Sequence, residues 1–323
     1  MGAQFSQFFP PRPTFTGKDL PPQDDRVFLI TGGTSGIGFE LAKILYRHGG
    51  RVYITGRTEQ KAKRAVKAIQ DAVPDHKGYL DFIVLELDDL RSIKESADAF
   101  RAKESKLDVL WNNAGVSQPP LGSVSKQGYE LQLAVNCFGP FLFTQMLLSL
   151  LEAAASTSSS PGSVRVIWTS SQVAELSSPE EGIIMSELTT PPKDNIRNYL
   201  NSKTGNWFLS AEFARRYGNR GITSVALNPG AANTDLLKNA KLMKILSYPL
   251  LHKPERAAHT ELYAGLSPDI SLQNNGCYVI PFGRIHHNVA ERLLTAMKVE
   301  ENGGTGKAKE FWEFCENKVS DYY

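Results

Sequence analysis

Short apolar runs alternate with amphipathic stretches along most of the chain. Seven runs read as strands: Val27–Ile30, Arg51–Thr55, Tyr79–Leu87, Val109–Asn112, Ser163–Thr169, Ile222–Leu227 and Cys277–Ile280. Between most of them apolar residues recur three and four positions apart, the period of a helix with one buried face. Ile37, Leu41, Ile44 and Leu45 make one stripe, Ala65, Ile69 and Val73 another, and Leu133 to Leu151 a long one. Strand-helix alternation of this kind predicts an α/β fold, a doubly wound parallel sheet of about seven strands with helices on both faces, in a single domain. No internal repeat is visible.

The flanks break the pattern. Residues 1–25, with Pro10-Pro11-Arg12-Pro13 and Pro21-Pro22, read as an extended N-terminal arm. The main domain then spans 26–283 and a helical tail 284–323. Residues 153–163 read as a flexible loop, and 172–197, broken by Pro179, Pro191 and Pro192, as surface loop with one short helix. Within 235–275, Leu236, Leu237, Leu242, Met243, Ile245, Leu246, Tyr248, Leu250 and Leu251 mark a substrate loop, whose stretch 235–262 is expected to line the pocket. In the tail, interrupted by Gly303-Gly304, Phe311-Trp312-Glu313-Phe314 is expected to pack back onto the body.

Composition adds exclusions. The 323 residues are 41% hydrophobic and 22% charged, as in an ordinary soluble globular protein, and can bury a sizeable core. A formal net charge of +2 gives no reason to expect nucleic acid. Cys137, Cys277 and Cys315 are far apart and lack a metal-ligand spacing, so they read as reduced thiols in the cytoplasm, with no metal. No apolar run reaches the length of a membrane span, and the N-terminus lacks the plan of a signal peptide. Met1-Gly2-Ala3-Gln4-Phe5-Ser6 does fit the myristoylation pattern. One acyl chain with no polybasic cluster holds a membrane weakly.

The candidate chemistry gathers at strand ends, where open parallel sheets bind ligands. The first strand runs into Thr31-Gly32-Gly33-Thr34-Ser35-Gly36-Ile37-Gly38, and a helix follows at once. Such a turn is tight, lets backbone approach a ligand, and aims free N–H groups and a positive helix end at a phosphate. Later strands end in Gly56-Arg57, Asp88, Asn112-Asn113-Ala114-Gly115, Ser170-Ser171 and Asn228-Pro229-Gly230, with Thr234 just beyond. Asn136 and Tyr199-x3-Lys203 fall on helices between strands. Singly these are a helical tyrosine with a wet tip, a surface lysine and good turn formers. Their joint, ordered occurrence at strand ends is what that bland reading leaves unexplained.

Together these motifs resemble the short-chain dehydrogenase/reductase family over about residues 26–283. Tyr199-Leu200-Asn201-Ser202-Lys203-x2-Asn206 and the long arm resemble its retinol-dehydrogenase-like branch, especially fungal members. The resemblance implies a Rossmann-type domain with Asn136, Ser171, Tyr199 and Lys203 as catalytic residues. Ser170 and Ser171 are both candidates for the serine, and counting along the family pattern favours Ser171. Hydride transfer needs a group that gives or takes the oxygen's proton. Tyr199 suits this if its pKa falls towards neutrality beside the Lys203 ammonium, one helical turn away. Ser171 would orient the substrate oxygen, and Asn136 would hold a water linking Lys203 to solvent. His286-His287 reads as surface.

For the cofactor, strand two offers Arg57 with Lys61 four residues on, and no carboxylate before Glu59. An Arg here suits a 2′-phosphate, so the expected cofactor is NADP(H). Gly32, Gly36, Ile37 and Gly38 would face its phosphates, Asp88 the adenine end, Asn113 the adjoining ribose, Tyr199 and Lys203 the nicotinamide ribose, and Thr234 the carboxamide. Two features depart from the family pattern. Ser171 and Tyr199 stand 28 positions apart, and the basic residue usual in or after the glycine motif is replaced by Ser35 and Phe39.

The expected function is an NADP(H)-dependent oxidoreductase interconverting an alcohol and a ketone or aldehyde on a lipophilic small molecule, such as a polyketide or terpenoid of secondary metabolism, a steroid or a retinoid. Competing readings are an NAD-dependent alcohol dehydrogenase, a non-catalytic NADP-sensing interaction protein, and a membrane-surface enzyme acting on lipid. A family dimer surface is implied on the helix from about Tyr129 to Leu151, for which the arm and tail compete. A homo-oligomer therefore stays open.

Overall fold

The computed structural model describes residues 2–75, 78–234 and 251–323. Among these residues eight strands form one sheet: β1 Val27–Ile30, β2 Arg51–Gly56, β3 Tyr79–Val84, β4 Val109–Asn112, β5 Val164–Thr169, β6 Ile222–Leu227, β7 Tyr278–Ile280 and β8 Arg284–Ile285. Their order is β3-β2-β1-β4-β5-β6-β7-β8. Seven strands are parallel, and β8 is the antiparallel edge strand that the sequence does not announce. It is two residues long and follows β7 through a tight turn at Phe282-Gly283, both at positive φ. The strand order reverses between β1 and β4, which places a crevice beyond their carboxyl ends.

The helices are α1 Gly2–Phe8, α2 Gly36–Arg47, α3 Glu59–Ala72, α4 Leu90–Arg101, α5 Leu131–Leu133, α6 Gly139–Met146, α7 Leu148–Thr157, α8 Gln172–Ser177, α9 Ser186–Thr189, α10 Asn195–Tyr217, α11 Pro254–Leu266, α12 Glu291–Met297 and α13 Lys307–Val319. Strand pleating sorts the core into two layers. Phe28, Ile30, Trp111 and Ile167 pack with Leu41, Leu45, Ile69 and Leu262 on the side of α2, α3 and α11. Leu29, Leu110, Val166 and Trp168 pack with Phe141, Trp207, Phe213 and Phe311 on the side of α6, α10 and α13.

Several elements differ from the sequence reading. The arm starts as helix α1, not as extended chain, because Ser6 and Gln7 are held by distant residues. Arg284 donates to the Ser6 carbonyl at 2.8 Å, and Gln7 bonds Glu175 and Asn228, each at 3.0 Å. The long apolar stripe is not one helix. It runs from α5 through a π-helical turn, Ala134–Phe138, into α6, then bends by 53° at Leu147 before α7. Gly139 sits where a Cβ would stand 2.7 Å from the Leu87 carbonyl oxygen, so this segment lies hard against the chain after β3. Helix α7 continues to Thr157, through Ala153, Ala154 and Ala155, where the composition predicts loop. The 172–197 segment buries Ala174, Ile183 and Leu188 and forms α8 and α9, because Gly182 lets it press on Phe208.

In the tail, Phe311 and Trp312 are buried, and Trp312 meets Phe141 edge-on at 4.8 Å. Helix α13 thereby packs on α10 and covers part of α6, which lies in the 129–151 stretch that the family resemblance marks as a dimer surface. Among the described residues no single helix is long and apolar enough to cross a membrane. The bent α5–α7 segment passes by length and composition, and its side chains are largely core. The apolar stretch from Leu236 to Leu250 lies outside the described residues.

Candidate active site

The first crossover builds one wall. Gly32 and Gly36 have φ of 67° and 60°, left-handed values that glycine adopts without strain. Gly38 is helical, yet a Cβ there would stand 2.7 Å from Asn113 Nδ2 and 2.8 Å from the Gly32 carbonyl. Ser35 precedes α2 with extended backbone and makes no side-chain cap, which leaves the first N–H groups of a 12-residue helix aimed outward. That is a cradle for phosphate. Ile37 is half-buried and packs inward on the α2 side of the core.

The β4 loop locks onto this turn. The Thr31 hydroxyl accepts from Ala114 N at 2.9 Å and donates to the Trp111 carbonyl at 3.1 Å. Asn113 Nδ2 donates to the Thr31 carbonyl at 2.8 Å. The Asn113 amide nitrogen therefore braces the turn instead of standing free for a ribose, a constraint that the Asn-Ala-Gly spelling does not reveal. From the far side Thr234 touches the same turn, since a Cβ on Gly36 would lie 3.1 Å from its Cγ2.

The second wall rises from β5 and α10. Asp194 caps α10 by accepting from Ile196 N at 2.9 Å and Arg197 N at 3.2 Å. Tyr199 and Lys203 follow one turn apart. Lys203 Nζ lies 5.7 Å from the Tyr199 ring centroid and donates to the Thr169 carbonyl at 2.9 Å. Ser170 is buried and donates to the Lys203 carbonyl at 2.7 Å, so its hydroxyl is committed. Ser171, half-buried at the start of α8, is the serine that hydrogen-bonds Tyr199. Asn136, in the π-helical turn, accepts from Val116 N at 2.8 Å and donates to Ser202 at 2.9 Å. A Cβ on Gly115 would lie 3.0 Å from Asn136 Oδ1 and 3.4 Å from Lys203 Nζ, so these three positions touch.

Electrostatics reverse one expectation. Burial pushes the Tyr199 phenol up to about 12, with the Ser171 hydrogen bond pulling the other way. Burial also draws the Lys203 ammonium down to about 8, against the fields of Cys137 and Glu261. Tyr199 is thus held neutral at physiological pH rather than drawn towards phenolate, because desolvation outweighs the Ser171 hydrogen bond.

The adenosine end is sparser. Arg57 and Lys61 are exposed at the end of β2 and the start of α3, with no side-chain partner among the described residues. Glu59, the first carboxylate after β2, pairs instead with Lys63 at 2.6 Å. Asp88 is half-buried beyond β3, and its carbonyl accepts from Lys126 N.

The sequence reading missed a buried polar cluster beside Ser171. Glu175, one turn after Ser171, accepts from Gln7 and lies 2.8 Å from His286 Nε2. His286 is therefore interior, not surface as expected, because β8 turns it inward. Gln7, Glu175 and His286 come from opposite ends of the chain, so no local signal joins them. Glu261 was also missed, and there a signal existed. It falls on the apolar stripe of α11 with Ala258, Leu262 and Gly265, at helical spacing.

This strand order, with a glycine-lined first crossover, defines a Rossmann-type α/β fold. Residues 26–244 match the family model described as short chain dehydrogenase. The chain is 43% identical over 318 residues to a short-chain dehydrogenase/reductase of Pestalotiopsis fici, covering 97% of this chain and 96% of that one. A second fungal member, from Phomopsis amygdali, is 40% identical over 325 residues, covering 98% and 96%. The chain belongs to the short-chain dehydrogenase/reductase family, and its activity is that of an NAD(P)-dependent oxidoreductase. Solved structures agree in fold. A 3-ketoacyl-(acyl-carrier-protein) reductase of Brucella melitensis complexed with NADH superposes with TM-score 0.62 at 24% identity, covering 79% of this chain and 96% of that one. The Pseudomonas aeruginosa RhlG/NADP complex also gives 0.62 at 24% identity, covering 80% and 95%.

Proposed function

We propose that the protein is an NADP(H)-dependent reductase of a ketone or aldehyde on a lipophilic small molecule of secondary metabolism, acting in the cytoplasm, with Tyr199 as general acid. The observation that carries this reading is the Ser171–Tyr199–Lys203 group beside the glycine turn. When bound, the nicotinamide would supply the hydride. Gly32, Gly36 and Gly38 with the α2 N-terminus would hold its phosphates, and Thr234 would close over the nicotinamide end.

The rest is chemistry of side chains. Ser171 and Tyr199 converge on one substrate oxygen, and Tyr199 releases its proton as negative charge develops there. A phenol kept protonated by burial suits this direction, because an alkoxide is a far stronger base than phenolate. Lys203 stabilises the phenolate that remains, and Asn136 holds the route by which the proton is replaced. An intact acid-base group argues against a pure cofactor sensor, which needs none.

Arg57 supports NADP(H) over NAD(H). A guanidinium with no partner among the described residues suits a 2′-phosphate clamp, and Lys61 lies one helical turn on. Arg57→Glu should weaken NADPH binding by about tenfold or more, the scale of one lost charged hydrogen bond, and leave NADH nearly unaffected. Titration by nicotinamide fluorescence reads this, and an unchanged NADPH preference removes Arg57 from the phosphate site. The Gly2 pattern extends the reading to an enzyme held weakly at a membrane. Feeding a myristate analogue to expressing cells should label the wild type and not Gly2→Ala, whereas an unlabelled wild type sinks that extension.

A further inference from the structure

Glu261 carries a carboxyl group in the middle of the protein. It lies on α11, on the opposite side of the sheet from α10, and is fully buried. One oxygen, Oε1, accepts from the Thr169 hydroxyl at 2.8 Å. The other, Oε2, is buried with no partner among the described residues. An isolated buried carboxylate is costly, so its position asks for a compensating charge.

Thr169 supplies the connection. Its side chain crosses to the α11 face and meets Glu261, while its carbonyl faces α10 and accepts from Lys203 Nζ at 2.9 Å and Asn206 Nδ2 at 3.0 Å. Lys203 is itself buried and forms no ion pair with a carboxylate among the described residues. Two acidic groups act on it, Cys137 and Glu261. Burial raises the Cys137 thiol far above neutrality, so it stays uncharged. Among the described residues no ion pair reaches Glu261, and Lys203 is the one charged group that acts on it. Arg165 on β5 donates to the carbonyls of Gly162, Ala264, Ser267 and Ile270. His259, on α11 itself, is kept neutral by burial.

We propose that Glu261 is a positioning residue that keeps Lys203 an ammonium, acting as its countercharge across β5 through Thr169. The proposal rests on the reading of Lys203 as part of the acid-base group. Tyr199 and Lys203 lie on one side of the strand and Glu261 on the other, so Glu261 never touches substrate or cofactor. Its carboxyl is raised to about 7 by burial, against the Thr169 bond and the field of Lys203. Lys203, drawn down to about 8, is held up in part by Glu261. Each charge favours the other across the Thr169 bridge, so a carboxylate on Glu261 supports an ammonium on Lys203. Removing the carboxylate lets Lys203 lose its proton at lower pH, and the alkaline limb of the reduction moves towards acid.

Glu261→Gln keeps the volume and an acceptor for Thr169 and deletes only the charge. The pH profile of kcat/KM for carbonyl reduction should show its alkaline limb lowered by about half a unit or more, with kcat falling above neutrality and KM little changed. A variant that loses thermal stability but keeps the wild-type limb overturns the proposal. A second readout needs no turnover. In protein carrying carbon-13-labelled glutamate carboxyls, infrared titration should show a carboxyl ionising near neutrality that Glu261→Gln lacks. Because coupling is reciprocal, Lys203→Met should raise that midpoint. An unmoved midpoint overturns the proposal whatever the substrate. Absence of all carbonyl reduction would instead count against the proposed function, and the infrared titration would still decide the role of Glu261.

Discussion

Replacing Tyr199 with Phe lowers kcat for carbonyl reduction by about 10³-fold, within the range that a positioned proton donor contributes. The substitution removes one oxygen and keeps the ring. The ring is half-buried over Lys203, whose ammonium holds to the Thr169 carbonyl at 2.9 Å without help from the phenol. The glycine turn, the Asn113 brace and α10 are untouched, so NADPH affinity should change by less than about threefold. Steady-state kinetics together with a binding titration separates the two effects. Turnover within about tenfold of wild type would mean that another group donates the proton, and neither Ser171 nor a Lys203 near 8 fits that role as well.

Gly38→Ala attacks the other half of the site. The added methyl would sit 2.8 Å from the Gly32 carbonyl oxygen and 2.7 Å from Asn113 Nδ2. The carbonyl belongs to a turn already fixed by the Thr31 bonds to Trp111 and Ala114, so it cannot retreat cheaply. Either the start of α2 swings away or the Asn113 brace breaks. Overpacking of this kind costs about 1–3 kcal/mol, and it falls on the cradle rather than on the core. NADPH binding should weaken by about a hundredfold at the upper end of that range, with a near-wild-type circular dichroism spectrum. Wild-type affinity in a folded Gly38→Ala protein would remove the glycine turn from the cofactor site.

The sequence carried the sheet because each strand is short, apolar and bounded by a helix with a clear stripe. Strand starts at Val27, Arg51, Tyr79, Val109 and Ile222 agree with the structure to the residue. The site was legible for a related reason. Residues at strand ends and one helical turn apart are brought together by topology alone, as with Tyr199 and Lys203. What sequence spacing could not carry depends on distant partners. The arm folds as a helix because Gln7 finds Glu175 and Asn228, and His286 turns inward because Glu175 waits there. The bend at Leu147 and the approach of Gly139 to Leu87 are packing decisions invisible in an apolar periodicity. The direction of the Tyr199 shift depends on desolvation, a property of everything around the ring rather than of Lys203 four residues away.

The central claim is that the glycine turn and Arg57 bind NADPH beside a working acid-base group. The most direct measurement is an equilibrium titration of the purified protein with NADPH and with NADH, followed by nicotinamide fluorescence. Saturable one-to-one binding, with NADPH tighter than NADH by about tenfold or more, is the predicted result. Binding of neither nucleotide by folded protein would contradict the account.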